Sequence, residues 1–195
     1  MHGFKGEVVL NPEVDSTLPE DCAVWALRRV LAAREVGARY VPTPLDVVAA
    51  MLEMAQVTDH DTLYDPGCGD GRFVITAAQQ YGARGVGIDI DAWCIAESRE
   101  NARRAGVDHL VSFQHGDALA ADLSPATVIA LYMPVLWNWR FLPKVRRELA
   151  VGSRIVAYVY GLPGWIPAET QSVTDQYGRQ SPIYLWYVGH EPNLV

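Results

Sequence analysis

Apolar residues along this chain fall into short blocks whose spacing switches repeatedly between a strand period and a helix period. Leu63-Tyr64-Asp65 reads as a short strand, followed by a glycine-rich turn and a helix to about Tyr81. Arg84 to Ile90 reads as a second strand and Ala92 to Ala105 as a second helix. Leu110 to His115 and Thr127 to Tyr132 give two more strands, Pro143 to Leu149 a helix, and Arg154 to Tyr160 a fifth strand. Thr170 to Thr174 and Ile183 to Val188 flank a turn at Gln176-Tyr177-Gly178-Arg179, the pattern of a closing hairpin. Upstream, Ala23, Val24, Leu27, Val30 and Leu31 have helical spacing within Asp21 to Val36, with Gly37 as a stop. The segment from Tyr40 to Asp46 turns into another helix, with Thr43 expected as its cap and Pro44 at the first helical position. Strands alternating with helices, then a hairpin, predict an α/β fold with a doubly wound, mostly parallel sheet and an antiparallel edge. Residues 1–39 read as a lead-in and helix, and residues 40–195 as one domain.

Composition narrows the class. Half of the 195 residues are hydrophobic and 20% are charged, which is a globular balance. Sixteen Lys+Arg against 23 Asp+Glu give a net charge of −7, which argues against broad binding to a phosphate backbone. No apolar run reaches the roughly 20 residues of a membrane helix, and the first residues lack the apolar core of a signal peptide. Cys22, Cys68 and Cys94 form neither a disulfide framework nor a C-x-x-C pair. The five histidines, at positions 2, 60, 109, 115 and 190, are too dispersed to suggest a metal site. The expectation is a soluble cytoplasmic domain without a metal.

The chemistry concentrates in Leu63-Tyr-Asp-Pro-Gly-Cys-Gly-Asp-Gly-Arg-Phe. In a doubly wound sheet the turn after the first strand lies at the carboxyl edge, where ligands bind. Gly67, Gly69 and Gly71 are spaced G-x-G-x-G. The dinucleotide fingerprint needs its third glycine one position later, where Arg72 stands, and the Gly-Lys-Ser/Thr of a phosphate loop is missing. Asp65 would repel a pyrophosphate and suits an ammonium group instead. Asp89 ends the second strand, where a carboxylate takes both ribose hydroxyls. Asp117 follows the third strand and would accept from an adenine amino group. An amine, a ribose and an adenine in a row describe S-adenosylmethionine.

With these residues in order, the chain resembles the class I S-adenosylmethionine-dependent methyltransferases over roughly Tyr40 to Val188. The resemblance implies a Rossmann-like sheet of seven strands with a C-terminal antiparallel hairpin, preceded by N-terminal helices. It implies S-adenosylmethionine as cofactor and S-adenosylhomocysteine as product. Asp65, Gly67, Cys68, Gly69 and Gly71 would surround the methionine moiety, Asp89 and Ile90 the ribose and adenine, and Asp117 with Ala118 the adenine border. Tyr40-Val-Pro-Thr-Pro, Asp65-Pro-Gly-Cys-Gly-Asp-Gly-Arg and Leu131-Tyr-Met-Pro resemble a narrower group. These are the mitochondrial lysine methyltransferases acting on the ATP synthase c-ring protein and the adenine nucleotide translocase, with their short bacterial relatives. In that family the Tyr-Val-Pro-Thr-Pro loop lies over the cofactor, which adds Tyr40, Pro42 and Thr43 to the cofactor set.

The chain departs from the narrower family after the fourth and fifth strands. Carboxylates and asparagines give way to Met133-Pro-Val-Leu-Trp-Asn-Trp and to Tyr158-Val-Tyr-Gly-Leu-Pro-Gly-Trp. Trp137, Tyr160 and Trp165 are therefore candidates for an aromatic acceptor pocket, taking an amine by cation–π attraction or a flat ring. Tyr132 is the candidate for orienting the acceptor. Tyr132-Met-Pro-Val is not the Asn/Asp-Pro-Pro-Tyr of enzymes that methylate nucleobase amino groups, so a protein lysine or a small molecule is expected rather than nucleic acid. A binding module without turnover, and a cofactor-consuming enzyme that transfers no methyl, remain as alternatives.

Overall fold

The structure, a computed structural model, describes residues 41–190. The expected lead-in, the helix over Asp21 to Val36 and Tyr40 lie outside the described residues. The elements run α1 (Leu45–Met54), β1 (Thr62–Pro66), α2 (Arg72–Tyr81), β2 (Arg84–Asp89), α3 (Ala92–Arg104), β3 (Val111–His115), β4 (Val128–Leu131), α4 (Val135–Glu148), β5 (Arg154–Tyr158), β6 (Glu169–Thr174) and β7 (Gln180–Tyr187). Among the described residues, no helix is long and apolar enough to cross a membrane.

The sheet has seven strands in the order β3-β2-β1-β4-β5-β7-β6. β1 to β5 are parallel, and β7 runs antiparallel between β5 and β6. The expected sheet and hairpin are both present. Strand order reverses between β1 and β4, which opens a crevice at the carboxyl ends of those two strands.

Both faces of the central strands are buried, so alternate residues feed two cores. Leu63, Val128, Ala130, Val156 and Tyr158 join the first core with α1, α2 and α3 residues such as Met51, Leu52, Val74 and Ile95. Tyr64, Ile129, Leu131, Ile155 and Ala157 join the second with Phe141, Leu142 and Val145 of α4. At the amino edge Arg154 ties the layers together. Its Nη1 donates to Ala55 O (2.8 Å) and Gln56 O (2.9 Å), and Nη2 meets Asp61.

Two expected boundaries are corrected. α1 starts after Pro44 and carries no side-chain cap, so Thr43 is not the N-cap; instead Asp46 Oδ1 accepts from Val47 N at 2.9 Å. α4 begins at Val135 rather than at Pro143, which sits inside the helix. A proline there removes one helix hydrogen bond, and burial of Phe141, Leu142 and Val145 offsets that loss. Trp137 and Trp139 consequently lie on a helix and not on a loop.

Trp165 also departs from expectation. It does lie on the glycine- and proline-rich connection after β5, yet only 5% of its surface is exposed. The connection folds back onto the second core, where Trp165 O accepts from Trp186 Nε1 (2.9 Å) and the Arg146 guanidinium covers its ring at 5.4 Å. Trp165→Ala is therefore expected to cost about 3–5 kcal/mol of stability, the scale of a deleted buried aromatic. Denaturant unfolding checks this, and a loss below about 1 kcal/mol would return Trp165 to the solvent-facing rim.

Candidate active site

The glycine-rich turn leaves β1 at the crevice and is fastened to β2 by its backbone. Gly67 N and Cys68 N both donate to Ile88 O, at 2.7 and 3.1 Å. Gly69 N donates to Asp89 Oδ2 (2.8 Å), while Asp89 Oδ1 accepts from Asp91 N (2.9 Å). Asp91 in turn caps α3 by accepting from Trp93 N at 2.8 Å. Gly71 is required by space as well as by backbone, whereas Gly67 is required by backbone and faces only the flexible end of Met133. At Gly71 (φ +82) a Cβ would stand 2.8 Å from the Phe113 ring and 2.9 Å from Ser98 Cβ. At Gly67 (φ +80) it would stand 2.8 Å from Met133 Sδ. A side chain at either position also meets the steric cost of positive φ.

Three residues to which the sequence alone assigned no role hold this turn. Arg72 bonds both Asp70 oxygens through Nε (2.9 Å) and Nη2 (2.5 Å), and its Nη1 donates to Thr43 O (2.5 Å). Asn101 Nδ2 reaches from α3 to Asp70 O at 3.0 Å. Arg72 thus links the glycine turn to the Pro42-Thr43 loop, and Thr43 is buried there. The Asp70-Gly-Arg72 spacing was the available signal for this pair.

Asp65 is buried at the end of β1. Burial pushes its carboxyl well above the usual carboxylate range; Asp89 and Asp70 add to that, and Arg72 opposes it. A position with unbalanced negative charge and little water favours an incoming cation. Burial likewise pushes the Cys68 thiol up, with Asp65 and Asp89 adding to it, so Cys68 is not a poised thiolate. Farther along the edge, Ile90 is exposed beyond Asp89, and Ala118 is buried beside exposed Asp117. Asp117 Oδ1 accepts from Leu119 N at 2.9 Å.

On the other side of the crevice, Tyr132 directly follows β4 and precedes Met133, whose Sδ stands closest to the space above Gly67. Tyr132 lines a cavity of about 200 Å³ with Tyr158, Val159, Arg179, Ser181 and the Val41-Pro42 and Pro44 segment. Tyr158 and Tyr160 both contact its ring, with centroids at 4.9 and 6.1 Å. Burial raises the Tyr132 phenol, the two neighbouring tyrosines add to that, and Arg179 opposes it. The hydroxyl is therefore protonated at neutral pH. Trp137 is not part of this wall. It stacks on Phe141 at 4.5 Å and, like Trp165, packs with the second core, whereas Tyr132 packs against the first.

The site fits S-adenosylmethionine, whose ammonium and sulfonium charges suit a buried, unbalanced carboxylate beside a glycine turn with positive φ. Fold and site together define a class I S-adenosylmethionine-dependent methyltransferase. The family model for the ANTKMT methyltransferase domain matches residues 65–169, just over half of the chain. The chain belongs to that family.

Its relatives carry different acceptors in their names. A protein-lysine N-methyltransferase of Saccharolobus islandicus (strain REY15A) is 38% identical over 151 residues, covering 77% of this chain and 93% of the relative. The adenine nucleotide translocase lysine N-methyltransferase of Mus musculus is 29% identical over 153 residues, which cover 74% of this chain and 64% of that protein. A crystal structure of an RNA methyltransferase from Salinibacter ruber with S-adenosyl-L-homocysteine is 42% identical at a TM-score of 0.73, covering 80% of this chain and 98% of that one.

The raised Asp65 carboxyl sets a pH dependence for the ligand-free protein. A carboxyl whose folded pKa exceeds its unfolded value contributes stability below the unfolded pKa, about 4, and loses it as pH rises through the folded value. The ligand-free protein should therefore lose stability with rising pH above that range, and Asp65→Asn should flatten the loss. Melting temperatures across pH check this; identical profiles for the two proteins would remove Asp65 as the cause.

Proposed function

We propose that this methyltransferase, with residues 40–195 as its transferase domain, acts on the side-chain amine of protein lysine. The observation that carries the reading is the tyrosine-lined cavity where β4 and β5 end, walled on one side by the Val41-Pro42 and Pro44 segment. Among the described residues its lining includes no carboxylate. The lysine methyltransferase relatives support the same acceptor class.

In this reading Asp65, Gly67, Cys68, Gly69 and Gly71 hold the methionine end of the cofactor, and Asp89 with Ile90 the ribose and adenine. Asp117 and Ala118 border the adenine, and Pro42 and Thr43 close over the site. Asp89 already accepts from Gly69 N and Asp91 N, and a carboxylate retains further lone pairs for ribose hydroxyls. The bound cofactor supplies a methyl group made electrophilic by its sulfonium. The chain's own residues supply alignment and exclusion of water. An acceptor amine needs a free lone pair. The protonated Tyr132 hydroxyl can accept from an amine N–H through its oxygen, leaving the lone pair directed at the methyl.

A second reading, an RNA acceptor, is favoured by the name of the Salinibacter ruber structure. Net charge of −7 weighs against it. Methyl-tritiated S-adenosylmethionine, supplied with protein and with RNA from the source cells, separates the two. Label recovered as methyl-lysine after acid hydrolysis is expected, and label confined to RNA overturns the lysine reading.

Two substitutions divide the donor side from the acceptor side. Asp89→Ala should weaken cofactor binding by about 1.5–3 kcal/mol, the scale of charge-assisted hydrogen bonds. Calorimetry giving unchanged affinity in a folded variant would remove Asp89 from the site. Tyr132→Phe should lower transfer roughly ten-fold, the loss of one hydrogen bond in the transition state. Cofactor affinity should stay unchanged, and full transfer by this variant would leave Tyr132 as wall only.

A further inference from the structure

The cavity wall contains a backbone conformation that branched L-residues avoid. Val159 has φ +63, and Tyr160 N donates to Tyr158 O across it at 2.6 Å. A two-residue hydrogen bond around a positive φ is the strained form of the γ-turn. For a β-branched residue that region is a genuine outlier, and such outliers concentrate where a site needs a fixed geometry. Val159 lines the cavity, and both its chain neighbours contact the Tyr132 ring. Tyr158 meets Tyr132 at an interplanar angle of 51°, and Tyr160 lies nearly parallel to it at 14°. The Tyr132 phenol is therefore gripped from two directions by the residues flanking one strained turn.

The turn is tied down on both sides. Val159 N donates to Pro182 O of β7 at 2.9 Å. From α4, Asn138 Nδ2 donates to Tyr160 O (3.3 Å) and Gly161 O (3.2 Å). Asn138 is fully buried, and among the described residues its Oδ1 has no hydrogen-bond partner. An amide oxygen left unpaired in the interior is unfavourable, so the fold tolerates two local costs, one within the turn at Val159 and one at Asn138, the α4 residue that holds it.

We infer that Asn138 and the Val159 turn are positioning residues that hold Tyr158 and Tyr160 against Tyr132, and so fix the orientation of the acceptor wall. This rests on the Tyr132 cavity being the acceptor pocket. Asn138 is not part of the cavity lining, and Val159 presents only an apolar side chain to it. Each acts through the rings.

The probe is n-butylamine, a mimic of the lysine side chain, titrated by NMR into protein saturated with S-adenosylhomocysteine. Val159→Gly adopts positive φ without strain but loses a side chain packed against the first core. It should therefore melt at or above Val159→Ala, which loses the same branches and keeps the strain, and should leave S-adenosylhomocysteine affinity unchanged. It should weaken n-butylamine about five-fold, because a freed turn no longer fixes the rings. Asn138→Ala should weaken it to a similar extent, and Tyr160→Ala at least as much. If Tyr160→Ala weakens the amine but Val159→Gly and folded Asn138→Ala do not, the positioning role is overturned while the acceptor pocket stands. If wild-type protein takes up no n-butylamine, or Tyr160→Ala binds it normally, the pocket reading fails and this inference with it. A Val159→Gly protein that melts clearly below Val159→Ala would also overturn it, since the turn would then not be strained.

Discussion

The carboxylate of Asp89 is the fixed point around which the donor side is built. Its two oxygens accept from Gly69 N and Asp91 N, so one side chain joins the glycine turn, the end of β2 and the start of α3. Backbone conformations with positive φ at the turn have no repeating ladder to hold them. They persist because Asp89 fixes one end and Arg72, spanning Asp70 and Thr43, fixes the other. Close packing does the rest, since Phe113, Ser98 and Met133 occupy the volumes that side chains at Gly71 and Gly67 would need. The turn is rigid by its surroundings although its residues are the most permissive ones.

Within that rigid frame the electrostatics are unbalanced. Asp65 is removed from water, lies near two further carboxylates and is opposed by Arg72, which is itself committed to Asp70. A buried carboxyl in this condition favours its protonated form when nothing cationic is near, and favours a cation when one arrives. That single property explains why a turn resembling a phosphate loop in outline is unsuited to phosphate. It also couples the ionisation of the ligand-free protein to the charge of the ligand it is built to hold.

The Tyr132 side of the crevice is organised differently, by aromatic packing rather than by backbone hydrogen bonds. Tyr132 both packs against the first core and lines the cavity. Its neighbour Met133 fills the space over Gly67, so the two halves of the site are one residue apart along the chain. The strained turn at Val159 is part of this wall, and the buried Asn138 holds it from α4. Leu136 and Trp139 on α4 are exposed and do not line the cavity.

The sequence by itself determined the features that depend on local backbone chemistry. Strand and helix periods gave the α/β order, and the glycine spacing with Asp65, Asp89 and Asp117 marked positions at or just after three successive strand ends. These were legible because a strand end, a tight turn and a switch point each constrain residues close together in the chain. Tertiary structure decided the rest. Trp165 follows β5 and was a candidate for an aromatic pocket, but the direction of a loop side chain is set by what it meets, here Trp186 and Arg146. Pro143 looked like a helix start, and only burial of Phe141 and Val145 explains a helix running through it. Nothing local marks Val159 for positive φ or Asn138 for the interior. Their roles arise from contacts between β5, β7 and α4, elements that lie apart in the chain and are brought together only when the sheet is complete.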